Sequence, residues 1–179
     1  MTNIISQCTF ATSNLIINYQ TLNFMNSIGL NIEKSIELSN GLNGLLANYQ
    51  VFYSNVRGFH WNIRGAKFFE LHAKFEELYN DLNLKVDEIA ERILTLSGKP
   101  EYRYSQYIKS SDIKEASETA DGESNMRNIL NSFQIVISQQ RKLMELAQEA
   151  GDEGTASLMS DYIREQEKLV WMYNAFLNK

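Results

Sequence analysis

The one proline in this chain of 179 residues, Pro100, falls between two long apolar periodicities rather than inside either of them. Proline removes a backbone donor and clashes with the preceding turn, so long stretches without it are free to run as helix. Before Pro100, apolar residues recur at three- and four-residue steps from about Ile36 to Asn62, through Leu38, Leu42, Tyr49, Phe52, Val56 and Phe59. A second stripe runs from about Ala66 to Ser97 through Phe68, Leu71, Phe75, Leu78, Leu82, Ile89 and Ile93, and Gly98 with Pro100 is expected to stop it. The short turn at "IRG" between these two predicts an antiparallel pair.

Beyond Pro100 the segment 98–122 is polar, and a short helix is expected around Gln106–Lys109. Two further stripes follow, about Glu123 to Ala150 and about Glu153 to Leu177, separated by "EAGDEG". The fourth carries Leu158, Tyr162, Leu169, Tyr173 and Phe176, and Trp171 is assigned to packing on it. Sustained Leu, Glu, Lys and Ala content makes the fold class all-α. Short, long and short connections describe a four-helix bundle whose long crossover, carrying a short helix, joins helices 2 and 3, the connectivity of ferritin-like folds.

An apolar fraction of 44% is enough for one sizeable core, so one domain is expected at 31–179, behind a flexible arm at 1–30 in which Met25 is a candidate initiator. A net charge of −5 gives no general attraction for phosphate or anionic lipid. No basic arm offsets it, because the first Lys or Arg is Lys34. No basic, secretion-type leader opens the chain, and no apolar run approaches the ~18 residues that span a bilayer. The single Cys8 excludes an internal disulfide and fits a reducing compartment, so a cytoplasmic protein is expected.

Both histidines of the chain, His60 and His72, lie within "GFHWNIRGAKFFELHAKFEE". On a wheel of about 100° per residue with His72 at zero, Glu76 falls near about +40°, Asp87 near about +60° and Glu91 near about +100°. This strip is separate from the apolar stripe, yet Phe69 and Leu94 bracket it at either end. A face that is merely solvated is not expected to end in Phe and Leu.

His72 with Glu76, and Asp87 with Glu91, are i, i+4 pairs whose side chains can meet at one metal ion. Their centres are about 22 Å apart at ~1.5 Å per residue, so one chain cannot close a site from both. Two chains can. A helix packed antiparallel on its own copy brings together positions that share a constant sum, and His72 with Glu91 shares its sum with Glu76 and Asp87. The axis then passes between Asp81 and Leu82, and His60 folds back towards His72 of its own chain. Each of two equivalent pockets gains two imidazoles and three carboxylates, a donor set suited to Fe(II), Mn(II) or Zn(II). The competing reading, a solvated surface strip, stays open at this point.

The same residues resemble the Dps family of mini-ferritins, also called DNA-binding proteins from starved cells. The likeness runs from about Met25 to Lys179 and is densest in "NYQVFYSNVRGFHWNIRGAKFFELHAKFEELYNDLNLKVDEIAERI". The family's spacing of His, His, carboxylate, Asp and Glu falls on His60, His72, Glu76, Asp87 and Glu91, with Glu76 where many members have Asp. The resemblance implies a ferroxidase at a two-fold interface, built on those five metal ligands, within a homo-dodecameric shell. It implies Fe(II) oxidised with hydrogen peroxide, or with oxygen, ferric iron stored inside, protection against oxidative stress, and no organic cofactor.

Trp61 matches a tryptophan that the family places beside the iron site, where it is oxidised in place of other groups. The matching iron pores would use Glu149 and Glu153, with Ser157 where an acid is common and Asp152 and Asp161 nearby. DNA compaction, the device in the family's name, normally uses a tail rich in Lys and Arg, and its absence from residues 1–33 disfavours DNA as a partner. A bundle that assembles without metal chemistry is the remaining alternative.

Overall fold

The computed structural model describes residues 25–117 and 119–178, so the expectations for residues 1–24 lie outside it. Among the described residues the regular elements are five helices: α1 (Ile32–Asn62), α2 (Phe68–Thr95), α3 (Tyr104–Ser110), α4 (Gly122–Ala150) and α5 (Glu153–Phe176). The four long helices form the bundle, α1 packing on α2 and α4, and α4 on α5. The short α3 sits in the crossover and packs on α1. None of the helices is long and apolar enough to cross a membrane.

Caps explain where the helices begin. Asn31 accepts from the Lys34 amide at 3.1 Å, so α1 starts four residues before the apolar stripe does. Asp121 and Asp152 do the same for α4 and α5. The end of α2 departs from expectation in a useful way. Ser97, not a glycine, takes the left-handed position at φ 67°, and the Gly98 amide bonds back to the Ile93 carbonyl at 2.9 Å. Gly98 is needed for space instead, since a Cβ there would lie 2.5 Å from Ser39 Oγ. Just before α1, the Asn26 side chain accepts from the Ile28 and Leu30 amides and donates to Ser35 Oγ, so residues 26–30 are fastened to the bundle.

The core is a continuous layer drawn from all four long helices, mostly Leu, Ile, Val and Phe from α1, α2 and α4 with Met159, Tyr162 and Tyr173 from α5, and in it Phe52 is set edge-on to Phe133 at 5.1 Å and Phe59 tilted on Phe75 at 5.9 Å. Each fully buried side chain of this size contributes about 1.5–3 kcal/mol. The crossover is held by asparagines that interrupt the apolar stripe of α1. Asn48 Oδ1 accepts from Ser111 Oγ and from the amides of Asp112 and Ile113, while Asn55 bridges the Lys114 carbonyl and the Ala116 amide. Asn43 repeats the device on Lys99 and Glu101. A long connection lying on a core must satisfy its backbone groups somewhere, and these three side chains do it.

Candidate metal centre

The last turn of α1 and the first turns of α2 face each other across residues 63–67. Gly65 supplies the positive φ of 104° that reverses the chain, and the Arg64 amide donates to the Ala120 carbonyl at 3.1 Å, tying the turn to the segment before α4. The turn brings His60 and His72 together. Their rings stack with centroids 3.8 Å apart and 23° between planes. Phe68 stacks on the outer side of His72 at 5.1 Å, and Tyr79 meets His60 edge-on at 5.3 Å.

Two hydrogen bonds cross between the helices. His60 Nδ1 lies 2.8 Å from the His72 carbonyl oxygen, and His72 Nδ1 lies 2.9 Å from the His60 carbonyl oxygen. A carbonyl oxygen can only accept, so both Nδ1 atoms carry the proton and donate it. In the neutral rings both Nε2 atoms therefore keep a free lone pair, the form in which imidazole binds a metal, and the Nδ1 bonds fix the ring orientations. The donor chemistry fits a divalent cation.

The carboxylates of the strip lie outside the core. Glu76, Asp87 and Glu91 are all exposed on α2. Glu76 follows His72 by one turn, whereas Asp87 and Glu91 are further along the helix. Among the described residues, no three of the His, Cys, Asp and Glu side chains come close enough within one chain to hold a metal ion. Phe69 and Leu94 at the ends of the strip are 86% and 59% exposed. Trp61 is 66% exposed, under the Arg57 guanidinium at 4.8 Å.

At the other end of the bundle, Glu149 and Glu153 are exposed on either side of the α4–α5 turn, and the Glu149 carboxylate lies 3.9 Å from Lys34 Nζ. Asp161 is bound by Arg164 at 2.9 Å, and Ser157 is exposed. Asp152 cannot add its charge to an acidic opening there. It is buried, caps α5 by accepting from the Thr155 amide at 3.0 Å, and is paired with Arg92. Burial alone would raise its pKa, but hydrogen bonds from Arg92 and Thr155 outweigh that and hold the carboxyl below its usual range.

One assignment is corrected. Trp171 does not pack in the core of the chain; it is 67% exposed. At ~100° per residue it lies about 200° round the helix from Tyr173, which is buried, so it belongs to the opposite face. The sequence reading also passed over Tyr79, whose place beside His60 was marked only by its spacing of seven from His72.

Residues 39–179 match the family model of the ferritin-like domain. The DNA protection during starvation protein of Porphyromonas gingivalis is 50% identical over 84% of this chain and 95% of its own length. An uncharacterized protein of Haemophilus influenzae is 56% identical over 83% of this chain and 93% of its own. Among solved structures, the Dps protein of Vibrio cholerae O1 superposes with a TM-score of 0.85 at 61% identity, covering 86% of this chain and 97% of that one. It is described as a member of a broad superfamily of ferritin-like diiron-carboxylate proteins.

Proposed function

Given that the chain belongs to the Dps family of ferritin-like proteins, we propose that it is a ferroxidase and iron store, oxidising Fe(II) preferentially with hydrogen peroxide at sites shared between two subunits. The observation that carries this reading is the reciprocal pairing of His60 and His72, which commits both Nδ1 atoms and leaves both Nε2 atoms as bases. Beside them stands a strip of exposed carboxylates that, among the described residues, a single chain does not close into a site.

A copy of α2 packed antiparallel about a two-fold axis completes the pocket. In that register His72 faces the partner's Glu91, and Glu76 faces the partner's Asp87. Phe69 then faces the partner's Leu94, which gives these two exposed apolar side chains an occupant. Burying such groups contributes up to about 1.5–3 kcal/mol each. Two imidazoles and several carboxylates bind Fe(II), and the anionic oxygens favour Fe(III) once it forms. Holding two Fe(II) ions in one pocket lets peroxide take both of its electrons there, which avoids releasing hydroxyl radical.

Dimers of this kind would assemble into a dodecameric shell in the cytoplasm, with ferric iron inside and Glu149 and Glu153 beside the entry pores. Protection of DNA is read here as removal of Fe(II) and peroxide rather than as phosphate contact, because the first 33 residues hold no Lys or Arg.

Stopped-flow absorbance of Fe(II) oxidation, with peroxide and with oxygen, tests the reading. The assembled protein is expected to show a fast phase, quicker with peroxide, that His60→Ala/His72→Ala loses by more than about tenfold, since even groups that only support metal ligands cost about that much. Traces equal to the variant's would leave an assembled bundle without this chemistry.

A further inference from the structure

One hydrogen bond at Nδ1 does not by itself fix the plane of the His72 ring. A histidine side chain turns softly about the bond to its ring, so the imidazole could still swing on that single contact. His60 covers one face of the ring, and Phe68, one turn earlier on α2, lies against the other at 5.1 Å with 24° between planes. Resting on the ferroxidase reading, we propose that Phe68 is a positioning residue for metal binding, its ring holding the His72 imidazole in the plane from which Nε2 reaches the shared pocket.

The start of α2 gives that role its weight. α1, α4 and α5 each begin under a side-chain cap, whereas Lys67 at the head of α2 supplies none. Its ammonium instead lies over the Phe176 ring at 4.3 Å. Phe68 is the first residue of the helix, its amide donates to the Gly65 carbonyl at 3.1 Å, and its half-buried side chain packs against the core. His72 therefore stands one turn into a helix whose start is fastened by a ring rather than by a cap.

The same ring is also in touch with the subunit surface. Phe69 stands edge-on to Phe68 at 5.2 Å and 79°, and this 86% exposed side chain is the one that meets the partner's Leu94 in the antiparallel register. Phe69, Phe68, His72 and His60 thus form an unbroken series of ring contacts from the surface to the ligand pair. A partner seated on Phe69 limits the tilt open to Phe68, and through Phe68 the tilt open to His72. The contact that delivers the partner's carboxylates therefore also steadies the imidazole they share a metal ion with. Phe68 itself touches no metal; it acts through His72, as groups that orient a ligand from outside do.

The test titrates the assembled protein with Co(II) in the absence of oxygen and follows the visible absorption of the bound ion. Phe68→Leu keeps an apolar side chain on the core but offers no flat face, and its Co(II) affinity is expected to fall about 10- to 100-fold, the usual cost of losing a group that orients a ligand. Phe68→Tyr keeps the ring and is expected to keep the native affinity. With Fe(II) and peroxide, Phe68→Leu is expected to raise KM while kcat at saturating Fe(II) stays native. A packing role alone predicts a lower melting temperature in Phe68→Leu with Co(II) affinity unchanged. That result, or an affinity loss that Phe68→Tyr shares, overturns the assignment and leaves the ferroxidase standing. Should Phe68→Leu not assemble, Phe68→Met takes its place with the same expectations, since its flexible chain fills the space without a flat face. If the native protein binds Co(II) no more tightly than His60→Ala/His72→Ala, the shared metal pocket itself fails, and the positioning role fails with it.

Discussion

The two ends of α2 treat their strong polar groups in opposite ways. At the C-terminal end Arg92 donates to Asp152 and, through Nε at 2.8 Å, to Thr155 Oγ1, and Asp152 in turn caps α5. The carboxylate there is committed, and the side chains are packed tightly enough that a Cβ on Gly154 would touch the guanidinium at 2.9 Å. At the N-terminal end His60 and His72 spend one ring nitrogen each on the scaffold and keep the other. The exposed side chains around them include carboxylates and Phe69, which is 86% exposed in the single chain. A closed network belongs to the fold, whereas donor atoms left over beside uncovered apolar groups mark a site completed from outside.

Arg92→Ala gives the sharpest break in that comparison. It leaves Asp152 buried and without its cation, and losing one partner of a buried pair costs about 3–5 kcal/mol, with the lower end expected because Arg92 itself is only partly buried. Thermal unfolding should fall accordingly, while the fast phase of iron oxidation, measured per folded chain, should stay. Loss of both together would mean that the two ends are not separable. The pH dependence has a definite sign. Because the folded pKa of Asp152 lies below its usual value, its contribution is full above the ordinary carboxylate pKa of about 3.9 and disappears as pH falls through the lower folded value. Arg92→Ala should therefore flatten the acid limb of the stability profile.

Asn48→Ala probes a third kind of polar group, one the sequence concealed. Removing it strips the Asp112 and Ile113 amides of their acceptor, while Ser111 Oγ keeps the Ile113 carbonyl, and unsatisfied buried groups cost about 1–3 kcal/mol. Water can reach part of this segment, so a loss of about 2 kcal/mol in chemical denaturation is expected, with iron oxidation unaffected. A loss under about 0.5 kcal/mol would show that the crossover does not depend on this clamp.

The long helices were legible because each presents an apolar stripe over about five turns or more, a signal local in sequence and hard to mimic. Meeting of His60 with His72 was legible too, because a five-residue turn leaves the flanking helix ends little choice but to face each other. Asn43, Asn48 and Asn55 were not, since an asparagine within an apolar stripe declares nothing about the loop it will clamp some sixty positions later. Trp171 was misplaced because apolar character was taken for position; its angle on the helix wheel already set it opposite Tyr173. Asp152 was readable only in half. A Gly-Asp pair before a helix announces a cap, but its partner Arg92 is distant in sequence, and only that contact shows that the charge is withheld from the surface.

The smallest effect is expected from Glu76→Asp, and it tests the open end of α2 without disturbing the closed one. The substitution keeps the charge and shortens the reach by one methylene. Asp is a slightly poorer helix former than Glu, so stability should fall by no more than about 0.7 kcal/mol. Glu76 is exposed in the single chain, so no packing is lost with the methylene. If its carboxylate binds iron in a pocket shared with the partner's Asp87, the shorter arm must draw the ion towards α2 or release it. The Fe(II)–peroxide rate should then change by a factor of a few, together with the visible absorption of the bound ferric product. An unchanged rate and spectrum would place Glu76 among the solvated groups of the strip and leave the two imidazoles and the remaining two carboxylates as the ligand set.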